Sequence, residues 1–98
     1  MTINIEVELK RAYKTGKIEV GLKDSEKSIL LGKSKAVVMS SAASDADKIR
    51  LKYLCDMENI KFILLDEIPL EFGQLIGLSY PVTAVSIINE GKSKILQE

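Results

Sequence analysis

The sequence predicts an α/β protein, a three-layer α/β/α sandwich on a four-stranded mixed sheet, and three observations lead there. Helix-like and strand-like apolar patterns alternate as αβαβαβαβ, the order that puts helices on both faces of a mostly or mixed parallel sheet. Two of the strand candidates, Ala36–Met39 and Phe62–Leu65, are short continuous apolar runs, as expected of strands buried on both faces. The 98 residues, 46% hydrophobic and 29% charged, suit one domain over residues 1–98 whose core needs neither disulfide nor structural metal.

Each element has its own signal. Ile5, Leu9, Ala12 and Tyr13 recur at helical spacing and predict a first helix over residues 3–14, stopped at Gly16. Lys17 to Gly21 reads as a strand, and Asp24 as the N-cap of a second helix that carries Ile29 and Leu30 and ends near Gly32. The run Ala36-Val37-Val38-Met39 is a buried strand, followed by a turn over residues 40–44. Ser44 or Asp45 then caps a third helix over residues 46–58, with Ile49, Leu51, Leu54 and Cys55 on its partly buried face. Phe62 to Leu65 forms another buried strand, and Pro69 opens a fourth helix bearing Phe72, Leu75 and Ile76 before Gly77. Val82 to Ile88 is the fourth strand, and the segment after Asn89 is expected to add a final helical turn. In such a sheet the loops at one end of the strands gather into a common surface, here residues 21–27, 40–44 and 78–82.

The side-chain inventory removes most catalytic chemistry. There is no histidine, one cysteine and no tryptophan. A Ser-His-Asp or Cys-His nucleophile is therefore excluded, as is a zinc site of the usual tetrahedral thiolate and imidazole set. No metal, cofactor or small-molecule substrate is expected. Cys55 has no internal disulfide partner and reads as a small buried apolar residue; with no basic-then-apolar leader at the start and no membrane-length apolar run, the protein is expected to be cytoplasmic. The formal net charge is zero, but residues 1–35 hold eight Lys/Arg against five Asp/Glu, whereas residues 36–98 hold six against nine. A basic face is expected near the N-terminal third.

Few motifs carry chemistry. Two Gly-Lys-Ser triplets, residues 32–34 and 91–93, match the end of a phosphate-binding P-loop, but the first glycine of that motif is missing from both. Asp66, Glu67 and Glu71 surround the strand-to-helix turn at Pro69, where acidic groups complement a helix N-terminus. The stretch from Lys17 to Lys27 is more informative: a strand, Gly21, then a helix start with Lys23 and Lys27 four residues apart. Such a helix start offers free amides and positive charge to phosphates or guanine edges; ordinary solvated lysines are the other reading the residues allow. Tyr80, beside Pro81 and Val82 in a loop, suits stacking on an unpaired base or core packing.

With these residues in view, the chain resembles the family of small ribosomal proteins that bind kink-turn RNA, the L-seven-Ae and L-thirty-e group, and most of all its L-thirty-e branch. The resemblance covers nearly the whole chain: the opening helix, Thr15-Gly16-Lys17, Gly21-Leu22-Lys23, Gly32-Lys33-Ser34-Lys35, Leu70-Glu71-Phe72-Gly73 with Gly77, and Pro81-Val82-Thr83-Ala84-Val85-Ser86-Ile87. It implies an α/β/α sandwich without enzymatic activity, a constituent of the large ribosomal subunit in the cytoplasm. Its partners would be ribosomal RNA with a kink-turn-like internal loop and neighbouring ribosomal proteins, with no membrane.

Residue by residue, the resemblance assigns Gly21, Leu22, Lys23 and Lys27 to the RNA groove beside sheared G·A pairs, and Tyr80 and Val82 to the unstacked bases. Ser41 and Ala42 stand in the third RNA-facing loop. There the family usually has an asparagine where this chain has Ala42, and a polar residue where it has Ala43. Ser40, Ser41 or Ser44 are the hydroxyls available to compensate. Two alternatives remain beside the ribosomal one: the RNA-binding core of a modification or processing ribonucleoprotein, and a protein-interaction module on the same fold that has lost RNA binding.

Overall fold

The structure is a computed structural model, and it describes residues 5–93. The elements run α1 (Ile5–Thr15), β1 (Lys17–Val20), α2 (Leu22–Leu30), β2 (Ala36–Ser40), α3 (Asp45–Met57), β3 (Lys61–Leu65), α4 (Pro69–Leu75) and β4 (Ala84–Asn89). The expected order holds. The four strands form one mixed sheet in the order β1-β4-β2-β3, with β1 and β2 antiparallel to β4, and β3 parallel to β2.

The layers follow from the two-residue period of the strands. On β2 and β4, Ala36, Val38, Val85 and Ile87 point to one face and pack with Leu9 of α1 and with Phe72 and Ile76 of α4. Val37, Met39 and Ala84 point to the other and pack with Ile29 of α2 and with Leu51 and Cys55 of α3. Ser86 faces α2 as well, and its hydroxyl joins a buried chain: Ser28 Oγ donates to Ser86 Oγ at 2.8 Å, Ser86 Oγ to Ser34 Oγ at 2.7 Å, and Ser34 Oγ to the Ala36 carbonyl at 3.1 Å. Small Ser25 and Ser28 on the inner side of α2 let the helix settle against β4.

Several sequence expectations are corrected. Asp24 does not cap α2; the N-cap is Gly21, because the chain leaves the sheet there at φ 111°, ψ 155° and turns directly into the helix. Leu30 is exposed, and Leu22 supplies the packing instead. Ile49 is 70% exposed, since α3 lays Leu51 and Cys55 on the sheet and turns Ile49 away. Leu64 is half exposed because β3 is an edge strand that α3 covers only in part. Tyr13 lies at the margin of α1's buried stripe and is partly exposed. Strand β4 begins at Ala84, not Val82, and residues 90–93 form a turn rather than a helix. Residues 3 and 4 of the expected first helix, and residues 94–98 of the expected final turn, lie outside the described residues. Ser44 caps α3 as expected, its Oγ accepting from the Asp47 amide at 3.2 Å.

Candidate nucleic-acid interface

Strands β1, β2 and β3 end at the same pole of the sheet, where β4 begins. Three backbone hydrogen bonds hold the loops together there. The Gly21 amide donates to the Ala84 carbonyl at 2.9 Å, the Ser40 amide to the Thr83 carbonyl at 2.8 Å and the Ser41 amide to the Leu65 carbonyl at 2.9 Å. The segments expected to form a common surface are thus brought together by the mixed pairing of the sheet.

The first segment turns on Gly21. Its φ and ψ lie in a region essentially restricted to glycine, and no atom stands within 4 Å of where a Cβ would be. The constraint is therefore the backbone and not crowding. Without a side chain to cap the helix, the first-turn amides of α2 have no side-chain acceptor. Lys23 and Lys27 are exposed one turn apart, while Leu22 is half-buried against the α2/α3 core and anchors the turn. A surface groove lined by Lys23, Glu26, Lys27, Leu30 and Leu31 runs along the helix. Glu26 pairs with Arg50 of α3, a side-chain hydrogen bond that holds the carboxyl below its usual range and the guanidinium above its own.

The second segment is held from inside. Ser40 Oγ, fully buried, donates to the Glu67 carbonyl and accepts from the Ala42 amide at 3.1 Å. Ser41 Oγ donates to Asp66 Oδ1 at 3.2 Å, and the Ser41 carbonyl accepts from Lys48 Nζ at 3.0 Å. Ala42 is exposed at the tip. All three serines available to replace an asparagine amide are therefore engaged in shaping their own loop, Ser44 as the α3 cap.

The third segment runs back along α4. A Cβ on Gly73 would stand 2.2 Å from the Tyr80 carbonyl oxygen, so only a glycine in α4 lets the loop lie this close. The Val82 amide closes the loop on the Pro69 carbonyl at 2.9 Å. Tyr80 is 53% exposed and free of the core, which rules out the core-packing reading of its side chain. Val82 is 2% exposed within the α1/α4 core, which corrects the expectation of a base-packing side chain: its burial fixes the loop that presents Tyr80.

Sequence reasoning missed two features of this pole. Nothing in the sequence around Gly73 signals its role, which the close approach of the Tyr80 loop reveals. The carboxyl groups of Glu6, Glu67 and Glu71 also meet here: hydrogen bonds that protonated Glu67 donates to Glu6 of α1 and then to Glu71 of α4 push its carboxyl up to about 7. Lys48 adds a further cation to the pole, tied to Asp45 at 3.5 Å. Cys55, by contrast, is buried under α3, and burial raises its thiol to about 11, so it is inert.

Comparison with known proteins agrees with this architecture. Residues 3–97 match the ribosomal protein L7Ae/L30e/S12e/Gadd45 family. A protein of Saccharolobus solfataricus named large ribosomal subunit protein eL30 is 34% identical over 94 residues, covering 96% of this chain and 87% of the relative. Its namesake in Sulfolobus acidocaldarius is 32% identical over 97 residues, 99% of this chain and 93% of the relative. That of Aeropyrum pernix is 28% identical over 96 residues, 98% and 96% of the two chains. A match from end to end, on a fold whose layers and loops the residues themselves explain, places the chain in one group: it belongs to the ribosomal protein L7Ae/L30e/S12e/Gadd45 family.

Proposed function

We propose that the protein is a non-enzymatic structural constituent of the large ribosomal subunit, acting in the cytoplasm as one RNA-binding domain over residues 1–98, with ribosomal RNA and neighbouring ribosomal proteins as its partners. The observation that carries this reading is the near-full-length match to relatives named large ribosomal subunit protein eL30. The RNA feature bound is a kink-turn-like internal loop. An A-form duplex hides base edges in its deep groove, whereas an opened internal loop exposes them to a protein surface. Gly21 turns the chain into α2, and the first-turn amides from Leu22 onward, with the ammonium groups of Lys23 and Lys27, suit phosphates and purine edges. Tyr80 supplies a stacking face for an unpaired base, Val82 holds its loop, and the 40–44 tip with Ser41 and Ala42 borders the same surface by shape rather than by a side-chain amide.

A titration with a kink-turn RNA, against a control in which the tandem G·A pairs are replaced by Watson–Crick pairs, tests this. The bent RNA should bind more tightly than the control. Lys23→Ala/Lys27→Ala should cost about 2 kcal/mol of that affinity, roughly thirtyfold. Equal, weak binding of both RNAs, unchanged in the double variant, would leave the fold standing and sink the recognition mechanism in favour of a protein-interaction module.

A further inference from the structure

The two Gly-Lys-Ser triplets set aside as failed P-loops reappear together at the pole opposite the loop cluster, and they are built alike. Gly32 and Gly91 both take positive φ, 72° and 60°. The serine that closes each triplet is buried and anchored, Ser34 Oγ on the Ala36 carbonyl at 3.1 Å and Ser93 Oγ on the Glu8 carbonyl at 2.7 Å. Between a turning glycine and an anchored serine, Lys33 and Lys92 are held out to solvent. The same pole receives Lys14 at the end of α1, Lys17 at the start of β1 and Lys35 before β2.

These segments are pinned to one another. The Lys92 amide donates to Thr15 Oγ at 2.9 Å, Lys17 pairs in register with Asn89, and the Lys35 amide donates to the Ile87 carbonyl at 2.7 Å. A Cβ on Gly16 would stand 1.9 Å from the Asn89 carbonyl oxygen, so the α1–β1 turn and the end of β4 touch through backbone alone. Lys35 is paired with Glu90 at 3.5 Å; among the described residues no acidic group stands within ion-pair distance of Lys14, Lys17, Lys33 or Lys92. In a chain of zero net charge this is a concentration of mostly positive charge, with Glu90 as the acidic group among it and Glu19 lining the same pocket as Lys33.

We infer that this basic pole is a second RNA-binding surface, which holds the phosphate backbone of an RNA duplex without reading its sequence while the loop pole holds the internal loop. The inference rests on the RNA-binding reading above for its ligand class. Point charges from three chain segments, spread about 10 Å across the ends of the adjacent strands β1, β4 and β2, match a backbone charged at every nucleotide. The described residues extend 26 × 25 × 24 Å, so the two poles lie more than a Debye length apart at 0.1 M salt and bind two RNA segments independently.

The test is a titration of a labelled RNA duplex without internal loop into the free protein and into its preformed complex with kink-turn RNA, at 0.1 M salt. The expected result is a ternary complex. Its duplex affinity should fall at least tenfold in Lys14→Ala/Lys17→Ala/Lys33→Ala/Lys92→Ala, with the log–log salt slope reduced by about 3, and be retained when the same four lysines become arginine. An unaltered melting temperature of the alanine variant shows that the fold is intact. Displacement of the kink-turn RNA by the duplex, unchanged affinity in the alanine variant, or kink-turn binding with no duplex binding would each overturn the inference. Lysine-dependent duplex binding by a protein that ignores the kink-turn RNA would instead overturn the proposed function and support the basic pole.

Discussion

The two poles of the sheet differ in what they are made of. The loop pole combines an uncapped helix start, an exposed tyrosine and closely fitted backbone, but Asp24, Glu26, Asp45, Asp47, Asp66 and Glu67 outnumber its cations Lys23, Lys27, Lys48 and Arg50. The opposite pole has little shape and mostly one sign of charge. Specific contact needs geometry held by a rigid frame, and long-range attraction needs only unscreened charge, so one small fold can place the two at opposite ends.

Breaking the frame of the loop pole should give the largest effect. Gly73→Ala drives a methyl into the Tyr80 carbonyl, and forced overpacking of this kind costs about 3 kcal/mol of stability, readable as a lower urea midpoint. Gly16→Ala, the equivalent at the basic pole, should cost a similar amount through Asn89. If either variant kept wild-type stability, the close approach described at that pole would be wrong. Gly21→Ala comes next. It meets no atom, so its cost of about 2 kcal/mol is backbone strain alone, and kink-turn binding should weaken with it.

A smaller change sharpens the contrast from the side of recognition. Ala42 sits exposed at a tip whose neighbouring serines are engaged, so Ala42→Asn should restore an amide there and tighten kink-turn binding by about 1 kcal/mol, with no change in duplex binding. Calorimetry with both RNAs would check this. The last prediction concerns pH. The Glu67 carboxyl rises from an ordinary 4.5 to about 7 through hydrogen bonds with Glu6 and then Glu71. A carboxyl raised in the folded state contributes stability that is fully present below about pH 4.5 and lost as pH rises through about 7. The melting temperature should therefore fall from pH 5 to pH 8, and Glu67→Gln should flatten that fall; a slope unchanged in the variant would remove Glu67 from the account. Kink-turn affinity should weaken over the same window, as the loop pole gains negative charge.

Much of the fold and part of the site were legible beforehand. The helical spacing of Leu9 and Ala12, the apolar run Ala36–Met39, the Ser44 cap and the Pro69 start each found its element, because a period or a cap is a property of neighbours in the chain. Lys23, Lys27 and Tyr80 were also found in the sequence, as exposed groups on segments the structure brings together. Ile49 and Leu64 failed for the converse reason: whether an apolar side chain is covered depends on which strand ends up at the edge and how far α3 reaches over it. Val82 failed likewise, because an anchored loop residue and a presented one look alike in sequence.

By itself, the sequence determined the order of the elements, the two-faced core strands and the absence of histidine and disulfide chemistry. All of these are set by local spacing or by composition. Only the tertiary structure decided the strand order β1-β4-β2-β3, the role of Gly73 and the gathering of Lys14, Lys17, Lys33 and Lys92 at one pole. Those features depend on pairings between segments tens of residues apart, and a charge acquires its neighbours only once those pairings are made.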